Sequence, residues 1–312
     1  MYVKAEYRRP PLRQRWRRNW ASYKVVYLML IPIVAYYVIF HYIPMLGSVI
    51  AFQNFKPALG IERSKWVGMK HFISFFNSPY AWRVIRNTLL LNGTQILFAF
   101  PAPIIFALLL NEVRARRFKS VVQTVSYMPH FISLVVICGM LTDFTMSDGL
   151  ITDMLTLFGL ERTNLLDQPQ YFRTVFVSSG IWQNIGWGSI IYLATLTNVD
   201  PTLHEAAAID GAGRFRRMLH VSLPALVPII VIQLIMRIGN VLSQGHEKVI
   251  LLYRPLTYET ADIISSFVYR RGLQEANFSF GAAVSIFNSV VNLVILIAAN
   301  TFSRKVSENS LW

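Results

Sequence analysis

The sequence predicts an all-α protein that crosses a membrane six times. Of its 312 residues, 54% are hydrophobic and 15% are charged, which is too apolar a composition for a soluble domain. Six apolar runs are each long enough to cross the hydrocarbon core of a bilayer as a helix. Lys and Arg are concentrated in short segments between these runs, a pattern typical of cytoplasmic loops. The net charge of +14 therefore indicates membrane topology rather than nucleic-acid binding.

Residues 1–24 are predicted to form a basic arm on the cytoplasmic side. They contain eight Lys and Arg residues against the single acid Glu6, and their aromatic residues suit a helix at the lipid headgroups. The membrane domain follows at residues 25–302. Its first span, residues 25–46, is too long for a secretory signal peptide and lacks a small-residue cleavage site.

The other spans are placed by the same reasoning. An external segment at 47–86 is predicted to hold an interfacial helix at 70–77. The remaining spans are predicted at residues 88–110, 122–144, 171–197, 225–244 and 278–302. Pro101 and Pro103 should kink the second span. A cytoplasmic tail at 303–312 then places both termini inside the cell.

The sequence argues against catalysis by this chain. The only cysteine, Cys138, lies in an apolar run, which excludes an intramolecular disulfide and a cysteine-based metal site. There is no GxxxxGK[ST] motif for ATP phosphates, no HExxH, no GxSxG and no acid or histidine cluster with metal-ligand spacing. We expect no enzyme activity, metal or cofactor here. His130, inside the third span, is expected to bond another helix rather than to relay protons.

The most patterned polar stretch is the loop at 198–224, between the fourth and fifth spans. Asp200 and Pro201 are typical of an N-cap and a first helical residue, and Gly211 of a stop. A helix of roughly ten residues is marginal alone in water. Its small residues let another backbone approach closely, so we predict a helix that sits in a groove of a partner protein. The alternative is a polar connector without a partner.

Nine positions in and just after this loop form a spaced pattern: Glu205, Ala206, Ala207, Asp210, Gly211, Ala212, Leu223, Pro224 and Pro228. The pattern resembles the EAA loop in permease subunits of binding-protein-dependent ABC importers. The resemblance implies the type I ABC importer permease fold for almost the whole chain from Val25 onward. It also implies that the first eight residues contact an ATP-binding subunit, with Glu205 and Gly211 at the centre.

Polar side chains inside the fourth and fifth spans are candidates for a substrate path. Four residues of the fifth span are predicted to share one helix face: Gln233, Arg237, Asn240 and Gln244. Amides exchange hydrogen bonds with sugar hydroxyls, and indoles cover the apolar face of a pyranose ring. The predicted substrate-path residues are Gln183, Asn184, Trp187, Arg237, Asn240 and Gln244. The alternative is ordinary hydrogen bonding between helices.

The resemblance also implies partners and a substrate class. It implies a second, unlike permease, two ATP-binding subunits that hold ATP and Mg²⁺, and an extracytoplasmic solute-binding lipoprotein, at a bacterial cytoplasmic membrane. The stretches YYVIFHYIPM and SYMPHFIS look most like importers of oligosaccharides or polysaccharide fragments, and Arg237 suits an acidic sugar. Alternatives are a permease for amino acids, peptides or phosphate, an ion-coupled carrier, or a membrane scaffold. A carrier should show an intramembrane acid, whereas Asp143 lies near a span end.

Overall fold

The computed structural model describes residues 12–242 and 245–306. Within these residues the chain is helical apart from one two-stranded hairpin. The first span is built from consecutive helical pieces: α1 (Leu12–Tyr37), a π-helical turn (Val38–Tyr42), α2 (Ile43–Leu46) and a 3-10 turn (Gly47–Phe52). None of its most apolar stretch is buried inside the chain. Lipid tails are as apolar as leucine, so this span needs no internal core.

The predicted N-terminal arm is not separate from the first span. Residues 1–11 lie outside the described part, but α1 already begins at Leu12 and continues into the membrane domain. Helical geometry fails once, at Tyr23, where φ is −121°. The boundary predicted at residue 24 therefore coincides with a break inside one helix.

The segment predicted to be external carries the hairpin and short helices: β1 (Gln53–Asn54), α3 (Gly60–Arg63), β2 (Lys65–Trp66) and α4 (Lys70–Phe76). The helix predicted at 70–77 is confirmed as α4. The hairpin escaped prediction because two-residue strands carry no periodic pattern. His71 Nε2 lies 3.1 Å from the carbonyl oxygen of Gln53, which ties α4 to the hairpin. Burial lowers the pKa of His71.

The next elements contain the second and third predicted spans: α5 (Ala81–Thr94), a π-helical turn (Gln95–Ala99), α6 (Pro101–Asn111), α7 (Arg116–Tyr127), α8 (Leu134–Phe144) and α9 (Leu150–Thr156). From Ala81 to Asn111 the chain is one candidate membrane helix. The predicted proline kink takes the form of the π-helical turn, which ends just before Pro101. The N–H of Phe100 donates to Gln95 O at 3.0 Å, five residues back.

The third predicted span is not one continuous helix. The chain bends by 97° between the helix that ends at Phe131 and the helix that begins at Leu134. A 3-10 turn at Met128–Phe131 contains Pro129, and Ile132 is extended. The span predicted at 122–144 is therefore broken, because the missing N–H of Pro129 and the extended Ile132 end the helical ladder.

The fourth and fifth predicted spans flank the patterned loop. The elements are α10 (Pro169–Thr197), α11 (Pro201–Ile209), α12 (Arg214–Arg217), a π-helical turn (Met218–Ser222) and α13 (Leu223–Gly239). With 29 residues, α10 is about 43 Å long at 1.5 Å per residue. It packs against α6, α7, α13 and α15 and is central to the fold.

Fewer than six helices of the described chain meet both the length and the hydropathy of a membrane span. Four helices of the described chain are long and apolar enough to cross a membrane, or five if the bent pair is one span. The predicted six are reached only when α10 is added. That helix is long enough, but its amide and hydroxyl side chains make it less apolar than the others.

The fifth predicted span, 225–244, is displaced towards the loop. A continuous helix runs from Arg214 to Gly239 and then ends. A Cβ built on Gly239 would lie 2.6 Å from Leu296 Cδ1, so the glycine permits close packing with the last helix. Glycine also weakens the helix at this point.

The C-terminal elements complete the membrane domain: α14 (His246–Leu252), α15 (Tyr258–Ala261), α16 (Ile264–Val268), a π-helical turn (Tyr269–Gln274) and α17 (Phe278–Val306). Helix α17 contains the sixth predicted span, and the tail residues 307–312 lie outside the described part. Three apolar clusters form the core, one centred on Phe172 and Phe176, one on Leu193 and Leu226, and one on Phe267.

A buried carboxylate organises the end of the fold that lies away from α11. The side chain of Asp262 is fully buried and accepts hydrogen bonds from Arg270 Nη2 at 2.6 Å and Ser266 Oγ at 2.8 Å. Arg83 Nη2 lies 3.8 Å from the same carboxylate. Asn87 Nδ2 donates to the backbone carbonyl of Asp262 at 3.1 Å. This network joins α5 to the segment between α15 and α17.

Candidate functional site

A cavity of about 860 Å³ lies between α6, α10, α13 and α14. Its volume falls in the range of small-molecule sites. The polar, aromatic and charged side chains on its wall include Gln95, Gln183, Asn184, Trp187, Tyr192, Gln233, Arg237 and Lys248. No lining residue in the described chain is Asp or Glu. The wall therefore combines neutral hydrogen-bonding groups, an indole and two cations.

Arg237 is held at the cavity by an uncharged partner. Its Nη2 donates to Gln95 Oε1 at 2.9 Å. Gln95 opens the π-helical turn between α5 and α6, so the bond joins that helix to α13. Because an amide cannot neutralise a guanidinium, the positive charge of Arg237 remains available to a ligand in the cavity.

Lys248 is the second cation and lies on α14. Its Nζ donates to the backbone carbonyl of Phe176 at 3.0 Å and to Ser179 Oγ at 2.9 Å. It also lies 4.9 Å from the centroid of the Phe176 ring. An ammonium group has three donors, and both of these acceptors are neutral. The buried side chain thus ties α14 to α10 and adds positive charge to the cavity wall.

Trp187 is oriented by the break between α7 and α8. Its ring stacks on His130 with centroids 4.4 Å apart and planes 4° apart. His130 Nδ1 lies 3.1 Å from Asn184 Oδ1, and the ring nitrogen donates because an amide oxygen only accepts. Asn184 Nδ2 donates to Gly180 O at 3.1 Å. His130 therefore bonds a neighbouring helix, as predicted, and the indole remains half exposed.

The start of α11 has the predicted N-cap. Asp200 Oδ1 accepts a hydrogen bond from the backbone N–H of Thr202 at 2.9 Å. This bond to the charged carboxylate lowers the pKa of Asp200. Pro201 takes the first helical position, where its missing N–H costs nothing.

The end of α11 is closed by a Schellman motif. Gly211 has a φ of +76°, a conformation that glycine adopts without a Cβ clash. The N–H of Ala212 donates to Ala207 O at 2.9 Å, and the N–H of Gly211 donates to Ala208 O at 3.1 Å. These two bonds satisfy helix-terminal carbonyls and fix where the helix ends.

The loop exposes its side chains. No residue of α11 is buried, and both Glu205 and Asp210 are exposed. Ile209 is 87% exposed and Leu203 is 54% exposed. A short helix that leaves its apolar side chains in water gains little from its own chain. The exposed apolar side chains of α11 are therefore accessible to another surface.

Comparison with known proteins identifies the family. Residues 99–308, about two thirds of the chain, match the family described as "Binding-protein-dependent transport system inner membrane component". The chain belongs to this family. The predicted recognition as a permease of this type is confirmed, and the chain is a membrane component of a transporter.

Two relatives from Bacillus subtilis (strain 168) extend over most of the permease. The first is named "Polygalacturonan/rhamnogalacturonan transport system permease protein YteP" and is 43% identical over 290 residues, which cover 93% of this chain and 90% of the relative. The second is "Protein LplB", 42% identical over 290 residues, with 93% and 91% covered. Both therefore resemble the permease from end to end.

Solved structures confirm the fold. A chain of a bacterial ABC transporter involved in the import of the acidic polysaccharide alginate matches with a TM-score of 0.87 and 42% identity, covering 94% of this chain and 99% of that chain. A chain of the alginate transporter in complex with an alginate pentasaccharide-bound periplasmic protein matches with a TM-score of 0.86 and 41% identity, covering 96% and 99%. The predicted ABC permease fold is thus confirmed.

Four of the six predicted substrate-path residues come together in the permease. Gln183, Asn184, Trp187 and Arg237 all line the cavity. The prediction that Asn240 shares a helix face with Arg237 was wrong, because α13 ends at Gly239 and Asn240 is its C-cap. Asn240 is exposed, is not a lining residue, and its Nδ2 donates back to Met236 O at 3.0 Å.

Gln244, the sixth residue, lies outside the described part of the chain, so its predicted place in the path stays a prediction. The eight predicted coupling residues divide between two elements. Glu205, Ala206, Ala207, Asp210, Gly211 and Ala212 lie in α11 and its closing turn. Leu223 and Pro224 lie at the start of α13 instead, where Leu223 packs against an apolar cluster of the core.

The cavity residues that sequence reasoning missed include Gln95 and Lys248. Gln95 lies in an apolar run, where a lone amide signals an internal hydrogen bond. Lys248 falls outside the predicted spans because α14 was not predicted, although a lysine beside the apolar run Val249–Leu252 suggests burial. Trp182, next to the predicted amides, faces a different cavity of about 480 Å³ with Ser178 and Ser179.

Proposed function

We propose that this permease passes oligosaccharides, acidic ones in particular, across the bacterial cytoplasmic membrane as part of an ATP-driven importer. The cavity carries this proposal. The amides of Gln183 and Gln233 suit sugar hydroxyls, the half-exposed indole of Trp187 suits the apolar face of a sugar ring, and Arg237 and Lys248 suit carboxylates.

The relatives support the same substrate class. One is named for polygalacturonan and rhamnogalacturonan transport, and polygalacturonan is a polymer of uronic acid units. Another is a chain of an importer of the acidic polysaccharide alginate. Two independent comparisons therefore favour a carbohydrate that carries carboxylates over an amino acid, a peptide or phosphate. The cavity wall, which has no acid among its described residues, also disfavours an ion-coupled carrier.

The proposed coupling to ATP rests on two helices that connect the loop around α11 to the cavity. Helix α10 carries Asn184 and Trp187 and ends at Thr197, directly before the loop. The helix from Arg214 to Gly239 begins within the loop, shortly after α11, and carries Arg237. Arg214 and Arg237 lie about 35 Å apart along this helix. A rigid movement of α11 is thereby transmitted to both walls of the cavity.

The partners that this mechanism requires are proposed from the same surfaces. Two ATP-binding subunits hold ATP and Mg²⁺, and one of them receives α11 in a groove that covers Leu203, Glu205 and Ile209. A second, unlike permease completes the pathway, and an extracytoplasmic lipoprotein delivers the sugar. The basic residues after α11 support a cytoplasmic position for this loop, and six spans would then leave both termini on the same side.

Reconstitution tests the proposed function. Vesicles that contain the permease pair and its ATP-binding subunits, with the cognate binding protein outside, should accumulate radiolabelled oligogalacturonate only when ATP is enclosed. Matched vesicles enclose a non-hydrolysable ATP analogue. Accumulation driven by an ion gradient without ATP would overturn the proposal. So would a cognate binding protein that binds peptides tightly and binds no saccharide.

A further inference from the structure

One end of the cavity concentrates positive charge without an acid to balance it. Arg237 and Lys248 approach this end from α13 and α14, and each is held by neutral acceptors. The ion pairs found in the described chain involve neither residue. Two cations in a low-dielectric wall attract an anion much more strongly than the same cations in water.

An unused hydrogen-bond donor lies at the same end. Gln95 Oε1 accepts from Arg237, but Gln95 Nε2 is buried and has no hydrogen-bond partner. Buried donors are nearly always paired in folded proteins, so an exception calls for an absent acceptor. An anion that contacts Arg237 would supply one.

Gly245 explains how these groups meet. With a φ of +81°, Gly245 is the N-cap of α14, the helix that carries Lys248 at the cavity wall. A Cβ built on Gly245 would lie 3.1 Å from Phe176 Cζ and 4.0 Å from Gln95 Nε2. Lys248 Nζ donates to Phe176 O and lies 4.9 Å from the Phe176 ring centroid, so Gly245 lies beside both the unpaired amide and the residue that holds the ammonium.

We propose that Gln95, Arg237 and Lys248 form a subsite that binds one carboxylate of an acidic saccharide. The carboxylate accepts from Gln95 Nε2, from the guanidinium of Arg237 and from the third N–H of Lys248, the donor left after its two protein acceptors. Hydroxyl groups of a neutral sugar cannot replace these charge-assisted bonds. The inference rests on the proposed function and makes these three residues the determinants of acid preference.

The test compares two saccharides of equal length in the reconstituted importer. One is an oligogalacturonate, and the other is its methyl ester, which has the same rings and no charge. For each sugar, uptake by a variant is divided by uptake by the unchanged importer, so the preference of the binding protein cancels. Assembly is checked by the amount of second permease and ATP-binding subunit that co-purifies.

Two variants probe the subsite from different sides. Gln95→Glu can still accept from Arg237 but places a negative charge where the carboxylate binds. Lys248→Met keeps the length of the side chain and removes its charge, and Lys248→Arg restores the charge. We expect Gln95→Glu and Lys248→Met to reduce uptake of the acid by about tenfold more than uptake of the ester. Lys248→Arg should recover part of the acid uptake that Lys248→Met loses.

Arg162→Gln is the matched control. It removes a cation that does not line the cavity and whose partner is the exposed Asp153. Uptake by this variant, divided by uptake by the unchanged importer, should therefore stay near one for both saccharides. Equal reduction of acid and ester uptake by both Gln95→Glu and Lys248→Met would overturn the subsite while leaving carbohydrate transport standing. If the unchanged importer takes up neither saccharide, the proposed function itself fails.

Discussion

Gly186 is a tight point of contact between α10, which carries Trp187, and α7, which leads to His130. A Cβ built on this residue of α10 would lie 2.2 Å from the backbone oxygen of Ser126 in α7. Ordinary contact begins at 3.4 Å, so Gly186→Ala forces a separation of about 1.2 Å. Overpacking of this kind costs about 1–3 kcal/mol. Since α7 leads directly to His130, the separation also disturbs its stacking on Trp187.

Gly139→Ala provides the control, because a Cβ built on this helical glycine meets nothing within 4 Å. Replacing a helical glycine without a clash should stabilise the fold by about 0.4–1 kcal/mol. The unfolding midpoint of the purified transporter and its saccharide uptake are measured for both variants. We expect Gly186→Ala to lower the midpoint by several degrees, at about 2–4 °C per kcal/mol, and to reduce uptake. An unchanged unfolding midpoint and unchanged uptake for Gly186→Ala would contradict this prediction.

Two further predictions concern the loop around α11 and the buried carboxylate of Asp262. Gly211→Arg puts a side chain at a φ of +76°, which costs about 1–2 kcal/mol, and Glu205→Lys reverses an exposed charge. Both should abolish transport and release the ATP-binding subunits while insertion into the membrane persists, and co-purification of a full complement with both variants would contradict this. Asp262→Asn removes a buried charge between two arginines and should destabilise the permease by about 3–5 kcal/mol. An unchanged unfolding midpoint would show that the network is dispensable.

The loop around α11 could be predicted closely because its signals are local. Asp200, Pro201 and Gly211 act on the backbone within a few residues, through an N-cap bond, a missing N–H and a positive φ. The structure reproduces both ends of the helix predicted from them. Its role in contact with an ATP-binding subunit stays a prediction, because that role depends on a surface of another protein.

The breaks in the spans were harder to predict because hydropathy does not register them. Pro129 lies in an apolar run, yet the chain bends by 97° just after it. Gly239 ends α13 inside another apolar stretch, where the close approach of Leu296 favours glycine. A periodic pattern extended across such a break assigns residues to a helix face that does not exist, and Asn240 was misplaced in this way.

The cavity could be predicted only in part because its cations come from distant segments. Arg237 was found from the cost of an arginine inside a span, whereas its partner Gln95 is 142 residues away in the chain. Lys248 reaches the wall on α14, whose N-cap is Gly245. Sequence alone shows which residues are costly in a membrane, and the tertiary fold decides which of them meet.

The break after α13 also links the carboxylate subsite to coupling. Arg237 is on the helix that begins next to α11, whereas Lys248 lies beyond the turn at Gly245 and is bound to α10 through Phe176 O and Ser179 Oγ. A shift of α13 relative to α10 therefore changes the separation of the two cations. Because the attraction of a carboxylate falls as they part, we expect a movement of α11 that separates the two cations to weaken the proposed subsite.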